Sequence, residues 1–390
     1  MARVGMPAGA AIAIADMLDK CAEVKPGMEV IIVAEVDGLY GGDSPVDEDA
    51  IAWIQGGVAE RGARASVIWI DEPATPHAWR FPPVVKAAIK DADIMINHSN
   101  NLVTEEIAEF RYYLEEAQTW MVRNFASTAP LLCTAWAQTP WELVSEIRYQ
   151  SSLAIRPDLP WVLTDPNGTH LEGTTSPAET RKVDRQVGVP GMPYSSRRKE
   201  ASHYLPWPEW VHPPIRISDT NGVFIFETML SWWSRYIGIS PYLKTPIKLV
   251  IENNRIKAIE GGEEAAALKR FLEGMKPRVG DGVYDFNAFH FGVHPQAIVA
   301  PHQCPNDLHR RIIEHSHSCN VHVHIGTPAS NEKYPYWMHV TGDIRHPSLK
   351  VGDTVVYDNG HLTALDSPGV KAVQAKYPGR PGVEPMPRQF

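Results

Sequence analysis

Histidine is the commonest metal ligand and the side chain most easily protonated near neutral pH. Ten of the sixteen histidines in this 390-residue chain lie between Phe289 and His346. That density, with the pairs His315-Ser316-His317 and His322-Val323-His324, suggests a metal site more than a histidine-rich surface loop. The segment CNVHVHIG alternates as a strand does, so His322 and His324 point to one face. At a rise of roughly 3.3 Å per residue they sit about 7 Å apart along the chain. Both rings can then converge on one ion, or one can bind metal while the other contacts substrate.

Three other pieces place a candidate ligand beside a strand or tight turn. LPWPEWVHPP carries Glu209, NAFHFGVHP carries His290 and His294, and YWMHVTGDIRHP carries His339 and Asp343. His302, His309, His315 and His317 read as helix or loop surface. Cys304 and Cys319 read as small buried thiols.

These residues need rigid elements behind them. The first part of the chain alternates strands and helices. EVIIVAEV, ASVIWID, DIMINHS and TWMVRNF are strand-like runs, separated by helical stretches near residues 8–23, 47–61 and 104–117 and closed by a helix from Pro140 to about Leu153. This pattern predicts an α/β N-terminal domain with a parallel sheet over residues 1–160. From about Pro157 helical periodicity fades. NGVFIFE, IKLVIENNRIKAIEGG and GDTVVYDNGHLTAL are strands with hairpin turns at Asn253-Asn254 and Asp358-Asn359-Gly360. Residues 161–390 therefore read as an α+β domain with antiparallel sheet, carrying the metal site and ending in a Pro/Gly-rich arm over the surface or a partner subunit.

Composition narrows the function. With 44% hydrophobic and 21% charged residues, the chain is that of a soluble globular protein. A net charge of −9 argues against nucleic acid as a partner, because phosphate binding needs a basic surface. No run approaches the roughly 20 apolar residues of a membrane span. Four cysteines without CxxC spacing fit a reducing cytoplasm. GLYGGDSP after the first strand is neither a dinucleotide fingerprint nor a P-loop. His98, at the carboxyl end of a strand where ligands gather in α/β sheets, reads first as a satisfied loop histidine.

Taken together and in this order, the four pieces resemble the fold shared by the aminopeptidase T metallopeptidases and the 2,5-dihydroxypyridine 5,6-dioxygenases. The resemblance covers most of residues 1–365 and is strongest from Leu205 to Leu365. It puts Glu209, His290, His322 and His339 at metal-ligand positions, with LPWPEWVHPP, AFHFGVHPQA, VHVHIG and the segment from YWMH to DTVVYDNGHL as the matching motifs. It also implies a homo-oligomer.

Two departures matter. His290 stands where the peptidases have a glutamate ligand, and Thr341 stands two residues after His339, where the family has an aspartate. Exchange of carboxylate for imidazole favours one transition ion over a carboxylate-bridged pair. The resemblance then implies a mononuclear Fe(II) ring-cleaving dioxygenase, with zinc or manganese as alternative metals, acting on a small hydroxylated aromatic or N-heteroaromatic compound and O2. The third ligand is His322, His324, Glu209 or Asp343. The substrate needs a base, for which a histidine near pKa 6.5 is suited, here His324 or His294. The alternatives are a two-metal hydrolase or aminopeptidase, and a metal-binding protein without catalysis.

Overall fold

The computed structural model describes residues 5–36, 46–71, 82–99, 114, 116–176, 204–208, 211–326, 338 and 340–384. Four apolar runs form β1 (Glu29–Glu35), β2 (Arg64–Ile70), β3 (Ile94–His98) and β4 (Trp120–Asn124). After the helix Trp141–Ser152 the chain makes a hairpin, β5 (Pro160–Thr164) and β6 (His170–Thr175), that belongs to a different sheet. It then returns with β7 (Tyr204–Trp207). The five strands of the first sheet are all parallel, in the order β2-β1-β3-β4-β7.

Parallel strands covered on both faces are apolar throughout, and β1 shows why. Val30, Ile32 and Ala34 join the large core shared with the second sheet, while Ile31 and Val33 join a smaller cluster with Val85 and Ile89 of the helix Pro83–Ile89. The helix Glu48–Glu60 begins where its acidic first turn implies: the Asp47 side chain accepts from the Asp49 N–H at 2.9 Å. The first helix is shorter than its periodicity suggested. It spans Ala8–Asp16 and gives way to a π-helical turn, Met17–Cys21. GLYGGDSP and most of the expected helix after β3 lie outside the described residues.

The second sheet is antiparallel. It contains β8 (Ile215–Met229), β9 (Tyr242–Glu252), β10 (Arg255–Glu260), β11 (Phe286–Phe291), β12 (Asn320–Ile325) and β13 (Val340–Arg345), then β14 (Ser348–Val351), β15 (Thr354–Asp358) and β16 (His361–Leu362). Asn253 and Asn254 turn β9 into β10 with φ of 49° and 59°, the left-handed conformation asparagine tolerates. The long β8 pairs with β13 near its C-terminal end and with β11 at its start. The ladder β11-β12-β13 is thereby closed on itself by one strand.

The C-terminal segment lies along its own chain. The helix Pro368–Gln374 packs on Trp141–Ser152, and the Tyr377 hydroxyl donates to Glu142. Arg380 Nε donates to the Gln138 carbonyl at 2.7 Å, and Gln296 Nε2 donates to the Gly382 carbonyl at 3.0 Å.

Candidate metal centre

The register of β11, β12 and β13 builds the site. His290 lies opposite His322, and His322 opposite Asp343; one step along, Ala288 lies opposite His324, and His324 opposite Thr341. Directly opposed residues share a face of the sheet, as do residues two apart on one strand. His290, His322, His324, Thr341 and Asp343 therefore stand together, and the expected His322-x-His324 alternation holds. The small Ala288 leaves His324 room to lean toward His290: their ring centroids are 4.2 Å apart. The His290 and His322 rings stack at 4.6 Å with 22° between planes.

One nitrogen from each of His290, His322 and His324 lies within 4.8 Å of the others, and all three residues are buried. His290 Nδ1 donates to the His212 carbonyl at 3.0 Å, which leaves Nε2 with the lone pair. That fixes the ring as metal-bound histidines usually are fixed, through the nitrogen that does not ligate. Burial, then neighbouring His315, His290, His324 and Arg311, hold His322 well below the usual histidine range, so its ring is neutral. Three imidazole nitrogens are a donor set that a borderline transition ion takes.

A second group, His315, His322 and Asp343, shares His322 with the first. Here the carboxylate is already engaged. His315 Nδ1 donates to Asp343 Oδ1 at 2.7 Å, and Arg311 Nη2 is 2.6 Å from Oδ2. Arg311 Nη2 also donates to Thr228 Oγ1 at 3.1 Å, and Thr228 lies opposite Asp343 on β8. His322 Nδ1 is 3.8 Å from Asp343 Oδ1, beyond hydrogen-bond range. The group reads as a buried support behind His322.

Glu209 and His339, both expected as ligands, lie outside the described residues. His294 belongs to neither ligand group. Its Nδ1 accepts from the Gln296 N–H at 3.2 Å, its ring meets the Trp136 backbone, and burial pulls it down to about 3. His98 is a satisfied core histidine, with Nδ1 2.9 Å from Ser127 Oγ.

Of the four histidines assigned to surface, only His302 is exposed. His309, His315 and His317 are buried. His309 Nε2 donates to the Phe125 carbonyl at 2.9 Å, and His315 caps the helix Asp307–Glu314 with its ring turned to Asp343. For His315 the cause is helical spacing: Leu308, Arg311, Ile312 and His315 recur at i, i+3, i+4 and i+7 and share one face. That signal, read through its polar members, would have found both Arg311 and His315. Cys304 is buried as expected, and Cys319 only partly.

No protein-family description matches the chain, and no curated protein matches it. Solved structures do. A 2,5-dihydroxypyridine dioxygenase from Pseudomonas putida KT2440 superposes with a TM-score of 0.60 at 14% identity, covering 91% of this chain and 98% of that one. Wild-type AmpT from Thermus thermophilus, an aminopeptidase T, superposes with a TM-score of 0.53 at 12% identity over the same shares. The parallel five-stranded sheet and the antiparallel sheet with its helices together form the two-domain fold that these two structures share.

Proposed function

We propose that this chain is a mononuclear non-haem iron enzyme that opens the ring of a hydroxylated aromatic or N-heteroaromatic compound with O2. The observation that carries the reading is the His290, His322 and His324 group: three buried nitrogen donors within 4.8 Å and no carboxylate among them. A two-metal hydrolase needs bridging carboxylates, and imidazole alone favours a single transition ion. Iron(II), when bound, supplies the one-electron chemistry with O2 that side chains lack. The likeness in fold to a 2,5-dihydroxypyridine dioxygenase supports this reading, and the likeness to AmpT supports a metal enzyme of either kind.

The residues of the chain do the rest. The His212 carbonyl orients His290, while Asp343, held by Arg311 and His315, faces His322. Burial keeps water from the three rings and holds His322 well below the usual histidine range. We assign His324 to the ligand set, which leaves Glu209 and His339 as candidates for a further ligand or for the base that deprotonates the substrate.

A second reading has one observation in its favour. The His315, His322 and Asp343 group adjoins the first, as a second ion would require. It predicts two metals per chain and turnover without oxygen. The deciding experiment strips the protein with a chelator and restores it anaerobically with one equivalent of Fe(II) or Zn(II). Oxygen uptake with a panel of hydroxypyridines and catechols, restored by iron alone, is the expected result. Full turnover with zinc and no O2 overturns it.

A further inference from the structure

We infer that Thr341 is a ligand-recognition residue of the three-histidine centre, donating a hydrogen bond to an anionic oxygen bound there. This rests on reading that centre as a metal site. Thr341 lies opposite His324 in the β12–β13 ladder and two residues from Asp343, so its side chain stands on the face that carries His290 and His322. It is fully buried, and its hydroxyl has no hydrogen-bond partner among the described residues. A buried hydroxyl left unsatisfied costs stability, and valine would fill nearly the same volume without that cost. The cost is recovered when an incoming group accepts the hydrogen bond.

The charge of the site says what that group is. Imidazole ligates as a neutral donor, and the Asp343 carboxylate on this face is matched by Arg311 at 2.6 Å and by His315 at 2.7 Å. A divalent ion at the three histidines therefore keeps most of its positive charge and favours an anionic ligand. A carboxylate at position 341 would neutralise the ion and repel such a ligand. A hydroxyl does neither and adds one directed donor. The substrate class is then a compound that presents a phenolate oxygen, held between the ion and Thr341.

The test uses the Co(II)-loaded full chain and 4-nitrocatechol, whose visible absorption reports phenolate binding, with wild type, Thr341→Val and Thr341→Ser. Metal content is measured in parallel. Thr341→Val is expected to keep one ion per chain and to bind the probe about tenfold more weakly, the loss of one hydrogen bond to a charged group. Thr341→Ser is expected to keep wild-type affinity. Equal affinity in wild type and Thr341→Val overturns the inference alone. Loss of the ion from Thr341→Val also overturns it, by making Thr341 a ligand. A wild-type protein that takes up no ion overturns the metal reading and the inference with it.

Discussion

Arg311 Nη2 and Asp343 Oδ2 are 2.6 Å apart, with both side chains shut away from water. The pair links a helix to the middle of the strand that faces the histidine cluster. A buried ion pair adds little net stability, but breaking it strands one charge in the interior, at a cost of about 3–5 kcal/mol. Arg311→Met should therefore lower the unfolding free energy by about that much in urea titrations. Arg311→Met combined with Asp343→Asn removes both charges and should be more stable than Arg311→Met alone. If the double variant is the less stable of the two, the pair is not the coupled unit its geometry indicates.

The three-histidine centre makes a separate prediction about metal. His290→Ala, His322→Ala and His324→Ala should each reduce bound iron at least tenfold, measured by elemental analysis after desalting. His302→Ala, an exposed histidine of the same stretch, should leave it unchanged. Asp343 lies 3.8 Å from His322 Nδ1, too far to hydrogen-bond it, so Asp343→Asn should weaken iron affinity by less than the about 10–100-fold typical of a hydrogen-bonded supporting carboxylate. A wild-type iron content in His324→Ala would return that residue to the role of base.

Behind the sheet, Gly342 sits between Thr341 and Asp343 on β13. A methyl group added there would come within 2.6 Å of the Phe226 ring, a fully buried side chain. Gly342→Ala must displace either the ring or the strand, and overpacking of this kind costs about 1–3 kcal/mol. Because its neighbours face the histidines, both the melting temperature and iron affinity should fall. Phe226→Leu in the same chain should recover part of each, since the smaller side chain makes room.

Much of this is legible in the sequence. Hydrophobic runs flanked by helical periodicity gave the parallel sheet, because burial on both faces leaves a strand no polar positions. The His-x-His alternation placed His322 and His324 on one face because a strand repeats every two residues. Register is what the sequence could not supply. Nothing local says that His290 lies opposite His322, or that β8 runs long enough to meet both β11 and β13. The supporting shell was missed for a related reason. Arg311 and His315 look like surface residues of a polar helix until Asp343 and Thr228 are placed beside them. Nor did composition foresee that β7 returns to the first sheet, since four residues carry too little pattern.

Acid should unfold this protein with a large uptake of protons. His98, His212 and His294 are pulled down to about 3, and His309 to about 4, all chiefly by burial. Their folded pKa values lie below the unfolded value near 6.5, so the stability they confer is complete above pH 6.5 and is lost as pH falls toward 3–4. Asp16 works the other way. Burial raises it to about 6, partly opposed by the Trp141 backbone N–H and Arg380. Its contribution is present below about 3.8 and lost as pH rises through 6. At pH 5, then, unfolding binds protons at four histidines and releases one from Asp16, a net uptake of about three from these groups. At pH 8 the same groups exchange none. Guanidinium unfolding followed with a pH-indicator dye at both values measures the difference directly. Asp16→Asn should raise the uptake at pH 5 by about one proton, and an uptake near zero in the wild type at pH 5 would mean that these histidines are charged in the folded protein.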